Sequence, residues 1–379
     1  MSLYEKYTFL TFAGIGFITI PLAVIVVIEH LFTLEDIALP NVVYKVSEYP
    51  LFVYVNVLVG AFLRGISVPI YFFISGHVFF FNASFTIDVY KKKLQNRIKT
   101  LLIPYIIWNA VALLLVIFKE LPLFESLLWH RSSELDLSLG NVLSCFLFHD
   151  GFLNPINIAD GNIGNSYFPL NYPLWYLRDL MIIILTVPLI YWLVKRLKEF
   201  SLLLLFALYI ASLMLHWSDR LFCGYFFFSW GAYMSIHGVD MIDTFKKYFK
   251  QSLFLYLFNC TLCVLFVNEN TIVQYIKIAN SVIAVIAFFN IAVWLLYRKN
   301  KEINTLLAKS SFFIYVTHYL ILDRCKKVLF MIVQPDSGFG VLFVYCMTLV
   351  TVVTVLLSVF YLLKRYSPSV LGIVAGYKP

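Results

Sequence analysis

The sequence predicts an all-α fold, a polytopic integral membrane bundle of about ten transmembrane helices. The composition is the first indication, since 61% of the 379 residues are hydrophobic and 13% are charged, against about 45–50% and about 25% in soluble domains. The second is length, because a membrane helix needs roughly 20 apolar residues and the chain has enough for about ten. These observations exclude a soluble globular protein, a nucleic-acid binder and a disordered chain.

Ten apolar runs bounded by charged or turn residues are the predicted spans. The segment 51–64, before the second span, is either an interfacial helix or an outward extension of that span. The ninth span is irregular because Asp323 and the basic residues after it interrupt the apolar run, so it either stops short of the outer surface or runs along it. We predict one integral-membrane domain over residues 1–379. The spans lie near 8–32, 65–83, 100–118, 172–194, 200–216, 221–237, 252–267, 273–297, 309–323 and 338–363, with long outer connections at 33–63 and 119–171.

The distribution of basic residues predicts the orientation. With a cytoplasmic N-terminus, most of the 29 lysines and arginines fall in cytoplasmic segments, including the cluster from Lys91 to Lys99. The connection 119–171 on the other side carries more acidic than basic residues. Because short cytoplasmic loops are enriched in lysine and arginine, we predict that both termini face the cytoplasm.

Polar side chains inside the predicted spans indicate a functional cavity. A charged group in a membrane helix costs on the order of 2.5–3.5 kcal/mol, so it needs a partner or a water-filled cavity. A rise of about 1.5 Å per residue places most of these groups in the outer half of the bundle, with His318 close to mid-membrane. The residues concerned are Glu29, His30, Arg64, Ser75, His77, Arg178, Asp179 and His318.

Structural roles are the alternatives for these residues. His30 can cap a helix end at the interface, and Arg178 and Asp179, about 100° apart on a helix, can each bind a neighbouring span. The run from Lys91 to Lys99 is usually a cytoplasmic anchor. The six cysteines are scattered, so the sequence predicts neither a metal site nor a disulfide framework.

Four segments, taken in order, are similar to one known family. YFFISGHVFFFNASFTIDVYKKKLQNRIKTLLIPYIIWN (71–109) contains a phenylalanine-rich span with Ser75 and Gly76, a basic loop and a Pro-Tyr pair. The other three are PLNYPLWYLRDLMI (169–182), FFSWGAYMSI (227–236) and SSFFIYVTHYLIL (310–322). Together they resemble the membrane-bound acyltransferase 3 family, of the sugar or exopolysaccharide O-acetyltransferase type, from the first span to the tenth.

Two positions depart from that family's pattern. The family pairs an arginine with a histidine in the first span, and His30 matches the histidine, whereas the arginine position is Thr19. Arg64 or Arg178 can supply a cation from another helix. His77 stands where the family usually has phenylalanine.

The resemblance implies transfer of an acyl group, usually acetyl, from cytoplasmic acyl-CoA to a hydroxyl of a cell-surface or lipid-linked glycan. It also implies a multi-pass protein of the bacterial inner membrane and no metal. His30 is the expected general base, because imidazole titrates near neutral pH. The groups expected to assist the base, orient it or stabilise the oxyanion are His318, Arg178, Asp179, Tyr176 and Ser75.

The expected partners are acyl-CoA, a glycan acceptor and the lipid bilayer, and not nucleic acid. The phosphates of the donor are expected to bind the basic loop, and the glycan to bind the outer loops, with aromatic and amide side chains such as Tyr167 and Asn154. The donor-binding residues are Lys91, Lys92, Lys93, Arg97 and Lys99, and the acceptor-binding residues are Arg64, Trp175 and Tyr176.

Two other functions stay open. A transporter or flippase of polar glycans would line its permeation path with the same intramembrane charges. A catalytically impaired family member could act as a partner in glycan assembly, and Thr19 is the reason to consider it. Consumption of acetyl-CoA by the purified protein distinguishes an enzyme from both.

Overall fold

The computed structural model describes residues 3–40, 42–81, 85–119, 138–147, 168–215, 219–298 and 305–376. Within these ranges most residues are helical, and the strands are one short antiparallel pair, β1 (Ile37–Ala38) and β2 (Val43–Tyr44). The helices are α1 (Leu3–Leu31), α2 (Pro50–Phe62), α3 (Ser67–Phe80), α4 (Ile87–Arg97), α5 (Ile103–Lys119), α6 (Leu139–Ser144), α7 (Trp175–Leu185), α8 (Val187–Leu197), α9 (Glu199–Met214), α10 (Asp219–Ile236), α11 (Met241–Lys246), α12 (Phe249–Leu265), α13 (Asn270–Arg298), α14 (Thr305–Val333), α15 (Gly338–Tyr366) and α16 (Pro368–Val374).

The predicted helical membrane fold is confirmed in its coarser form. Each of the ten apolar runs lies on one of these helices or on the α7–α8 pair. Four described segments are long and apolar enough to cross a membrane, or five if the bent α7–α8 pair is one span. The four are Pro50–Phe80, Ile87–Phe118, Asn270–Leu296 and Gly338–Tyr366. The count of ten spans, the cytoplasmic termini and the single domain stay predictions.

One of the predicted segments differs from its expected form, and for a second the structure favours one of two predicted alternatives. The basic segment expected as a loop is helix α4, which a π-helical turn (Ile98–Leu102) joins to α5. The segment 51–64 forms α2, and with α3 it makes an apolar stretch of 31 residues. This continuity favours an outward extension of the second span over a separate interfacial helix.

The predicted ninth span does not end at its charged residues. Helix α14 continues through Asp323 to Val333. The Asp323 carboxylate is 2.9 Å from the Lys327 ammonium and 3.6 Å from that of Lys326. Opposite charges three and four residues apart stabilise a helix, so the charges that broke the apolar pattern support the helix instead.

The predicted fourth span is bent by 66° between α7 and α8. Pro188 lies in the first turn of α8, where its missing N–H interrupts the backbone hydrogen bonds of a continuous helix. The hydroxyl of Tyr90 lies 3.3 Å from the Ile184 carbonyl oxygen and 3.1 Å from that of Leu185. Freed carbonyls at membrane depth need such partners, so α4 stabilises the break.

The chain forms two compact units whose segments alternate along the sequence. The first unit comprises residues 1–33, 53–94 and 182–311, and the second comprises residues 34–52, 95–181 and 312–379.

Helices α3 and α10 of the first unit are in backbone contact. A Cβ atom added at Gly76 would overlap the carbonyl oxygen of Phe228, and one added at Gly231 would overlap that of Phe73. Small residues permit such close helix approach in membranes. Beside this contact, the Ser235 hydroxyl lies 2.9 Å from His77 Nδ1 and donates to the His77 carbonyl. His77 therefore forms a polar contact between the helices, which accounts for its place among phenylalanines.

The second unit packs α5, α14, α15 and α16 together through aromatic side chains. The Trp108 indole N–H donates to the Val374 carbonyl at 2.7 Å, and the same ring meets Phe313 edge to face. At the other end of α14, the Phe330 ring contacts both Tyr44 and Tyr345. Large buried rings of this kind supply much of the packing of the unit.

Candidate functional site

In the first unit, Arg64 lies at the C-terminal end of α1. His30 is half-buried in the last turn of that helix. The Arg64 guanidinium donates at 2.7 Å to the carbonyl of Phe32, just past the helix, and at 3.3 Å to Oδ1 of the buried Asn56. A cation is favoured there because a helix ends in free carbonyls and a partial negative charge. The structure thus places the Arg64 guanidinium at the carbonyl of Phe32, which is two residues after His30.

Glu29, the residue before His30, is held by the turn that joins α2 and α3. Its Oε1 accepts from the Gly65 N–H at 3.4 Å and the Ser67 hydroxyl at 3.3 Å. Gly65 has a φ of +88°, a conformation that favours glycine. The contacts fix one carboxylate beside the candidate base.

Lys277 on α13 was missed by the sequence reasoning. It interacts electrostatically with both Glu29 and Arg64. The sequence did contain a signal for Lys277, because it lies within the apolar run 273–297. A charged ammonium there needs a partner, as the Arg178 guanidinium does in its own span. Two cations and one carboxylate therefore accompany the end of α1.

Thr19 has a structural role in this unit. Its hydroxyl donates to the Gly16 carbonyl of its own helix at 3.0 Å, and its carbonyl accepts from the Tyr71 hydroxyl at 2.9 Å. These contacts attach α1 to α3 through neutral groups. Ser75, the other predicted site residue of α3, is half-buried one turn further along the helix.

In the second unit, Arg178 and Asp179 bind each other. Their Nε–Oδ1 distance is 2.9 Å, with 18% of the arginine side chain and 3% of the aspartate side chain exposed. The two side chains can meet, although their positions lie about 100° apart on the helix, because the arginine side chain is long. Nη1 of Arg178 donates to the Leu147 carbonyl at 2.7 Å, and the Tyr105 hydroxyl donates to the neighbouring carbonyl of Phe146. The pair thus anchors the turn that follows α6.

His318 is completely buried in α14. Its Nδ1 lies 3.1 Å from the Ile314 carbonyl oxygen and 2.8 Å from that of Tyr315. Donation to these carbonyls fixes the neutral tautomer with the proton on Nδ1. The Tyr315 hydroxyl donates to the Pro173 carbonyl, so the same turn of α14 is fastened to the segment before α7.

The aromatic residues at the start of α7 lie near this turn. The buried Tyr176 meets the ring of Tyr315 edge to face at 5.8 Å. Tyr176 and Arg97, the first predicted to bind the acceptor and the second the donor, lie within electrostatic range of each other. Trp175, the residue before Tyr176, is half-buried.

The basic residues of α4 and the π-helical turn divide into two kinds. Lys91, Lys92 and Lys99 are exposed and available to anions. The Lys93 ammonium instead donates to the Phe79 carbonyl at the end of α3 and lies 5.0 Å from the centre of that ring. Arg97 is half-buried and contacts Tyr176 electrostatically.

A comparison with models of known protein families shows the family to which the chain belongs. The family model Acyl_transf_3, described as an acyltransferase domain, matches residues 18–363. The chain belongs to the acyltransferase 3 family. The match includes His30, Arg64, Arg178 and His318, and so covers the site residues of both units.

A curated relative of this acyltransferase 3 protein is the succinoglycan biosynthesis protein ExoH of Rhizobium meliloti (strain 1021). It is 29% identical over 204 residues, which are 52% of this chain and 49% of ExoH. The chain therefore spans about half the length of the relative it matches. No solved structure matches the chain.

Much of the predicted glycan-binding loop 119–171 is outside the structural description. Residues 120–137 and 148–167, which include Asn154 and Tyr167, are not among the described residues. Their proposed contact with the glycan stays a prediction.

Proposed function

We propose that this acyltransferase 3 protein is an O-acetyltransferase of the bacterial inner membrane that acetylates a cell-surface or lipid-linked glycan. The donor is cytoplasmic acetyl-CoA and His30 is the general base. The observation that carries the assignment of the base is the end of α1, where the half-buried imidazole is followed by a guanidinium held at the Phe32 carbonyl.

His30 and Arg64 have complementary roles in this chemistry. Neutral His30 accepts the proton of the acceptor hydroxyl as its oxygen attacks the thioester carbonyl. A new C–O bond forms, the C–S bond breaks, and the proton passes to the departing thiolate of coenzyme A. Arg64 favours the neutral base by its charge and stabilises the negative oxygen of the tetrahedral intermediate.

The donor binds through its phosphates to the exposed ammonium groups of Lys91, Lys92 and Lys99. Charge-assisted hydrogen bonds to phosphate are strong, and these three side chains are the exposed members of the basic segment. Arg97, which is half-buried, serves the inner part of the donor instead. The relative named for succinoglycan biosynthesis supports a polysaccharide acceptor.

The substitution His30→Ala tests the base. We expect glycan acetylation to fall at least about 10²-fold, the usual contribution of general base catalysis, with an unchanged amount of protein in the membrane. Acetylation is measured by mass spectrometry of the glycan, and protein by immunoblot. His237→Ala is the matched control, because His237 is also half-buried and contacts the Val194 carbonyl of its own unit. Retained acetylation in His30→Ala would refute the assignment.

A glycan transporter is the second candidate, because broken helices occur at the substrate sites of transporters and α7–α8 is a broken pair. The purified protein, incubated with acetyl-CoA and de-acetylated glycan, distinguishes the two. An enzyme releases free coenzyme A in proportion to acetylated glycan, whereas a transporter releases none.

A further inference from the structure

Helix α14 carries an exposed polar surface immediately after His318. Tyr319 is 41% exposed, and the Asp323 side chain is 58% exposed. Residues four apart lie on the same face of a helix, so the phenol and the carboxylate are neighbours. Neither was assigned a role in the acetyl transfer described above.

The ring of Tyr319 is supported from the interior of the second unit. It lies 5.9 Å from the ring of Tyr172 at an interplanar angle of 31°. The Tyr172 ring in turn lies 4.3 Å from that of the buried Phe168. The three rings run from the core to the surface, so packing holds the outermost ring in place.

Asp323 is held by cations on the same helix. Lys327 lies 2.9 Å and Lys326 3.6 Å from its two carboxylate oxygens. Lys326 is itself buried and lies over the ring of Tyr345 at 6.0 Å, so it cannot swing freely into solvent. A second, exposed carboxylate, Glu35, interacts electrostatically with the Tyr319 hydroxyl.

We propose that Tyr319, Tyr172 and Asp323 form an acceptor subsite that binds one pyranose unit of a glycan. The proposal rests on the glycan acetyltransferase function proposed above and names where the acceptor is held. The polarised C–H groups of a pyranose pack on the negative face of an aromatic ring. Its hydroxyls donate charge-assisted hydrogen bonds to a carboxylate.

The chemistry of the surface selects against other ligands. An acyl chain would displace water from the exposed carboxylates of Glu35 and Asp323 without offering them a hydrogen-bond donor. A saccharide satisfies the ring and the carboxylates together, and since both are already held in place, little ordering is needed on binding.

Binding of the oligosaccharide tests the subsite. The probe is a set of oligosaccharides released from the surface polysaccharide of the producing cells and de-acetylated with alkali. Binding to the full-length protein in nanodiscs is measured by saturation-transfer NMR. We expect Tyr319→Ala and Asp323→Asn each to weaken binding at least about tenfold. Tyr319→Phe, which keeps the ring face, should retain most of it.

Two exposed residues of the second unit, changed in Tyr361→Ala and Asp336→Asn, are the matched controls and should leave binding unchanged. Unchanged coenzyme A binding shows that the variants are folded. The proposed subsite is refuted if the wild type binds none of the oligosaccharides. It is also refuted if Tyr319→Ala and Asp323→Asn bind them as the wild type does. Both conclusions hold even if the protein transfers acetyl groups. Binding that depends on Tyr319 in a protein without transfer would refute the enzymatic function and retain the subsite.

Discussion

The substitution Arg64→Gln is the most informative test of the cation beside His30. Glutamine removes the charge while keeping a polar side chain of moderate length in the turn between α2 and α3. Two contacts are lost, the 2.7 Å bond to the Phe32 carbonyl and the 3.3 Å bond to Asn56. We expect both a stability effect and a catalytic effect, which separate measurements can distinguish.

The stability effect follows from these two contacts. Hydrogen bonds to charged groups contribute about 1.5–3 kcal/mol each. Taking the short bond in full and the long one at half strength gives a loss of about 2–4.5 kcal/mol. Glu29 loses one of its two cations at the same time, so the upper part of this range is expected. Thermal inactivation of the purified protein in detergent measures the change.

The catalytic effect is a fall of about 10²–10³ in kcat, as for removal of one donor to an oxyanion. Release of coenzyme A by the fraction of protein that stays folded is the assay. Arg64→Lys should be intermediate, since it keeps the charge but not the planar guanidinium. Arg196→Gln, at an exposed arginine of α8 in the same unit, is the control. If Arg64→Gln lowers stability while its kcat equals that of the control, Arg64 is only structural.

Two further substitutions test the reading of α1 and α3. Thr19→Arg should give no gain in kcat, because the cation is already supplied near His30 and the bond of the Thr19 hydroxyl to the Gly16 carbonyl is lost; faster release of coenzyme A than in Thr19→Ser would contradict this. Gly76→Ala should separate α3 from α10, since the added methyl overlaps the Phe228 carbonyl, at a cost of about 1–3 kcal/mol or more. Gly140→Ala, with open space around it, is the control, and equal membrane levels of the two variants would refute the close contact.

The sequence was sufficient for the helices because apolar run length reports directly on helix formation in a membrane. The sequence pattern did not predict the end of the ninth helix, since its predicted boundary lay at charged residues. The predicted ninth span ends at Asp323, whereas α14 continues through this residue, which pairs with lysines three and four residues later. The same spacing is visible in the sequence, and the i,i+4 rule was the signal that would have corrected the prediction.

Partners on other helices were harder to predict. Arg64 and His30 were both identified from the cost of polar groups in a membrane, but nothing in their spacing shows that the turn after α2 meets the end of α1. Lys277 was missed although it has the same cost. The pairing of Arg178 with Asp179 was also not visible, since backbone geometry separates them by about 100° and only the length of the arginine side chain brings the two charges together.

The cation that position 19 lacks is supplied from another segment of the chain. A cation near a histidine base must be near in space, and a single helix provides it only if the two residues lie on adjacent turns. Thr19 lies eleven residues before His30, about 16 Å along the helix. An arginine at position 19 would therefore have to extend its side chain along α1 to approach the base. Arg64 is held at the end of α1 itself, and Lys277 adds a second positive charge against the one carboxylate of Glu29. The end of α1 therefore has the Arg64 guanidinium at the Phe32 carbonyl, two residues after His30, without any cation at position 19.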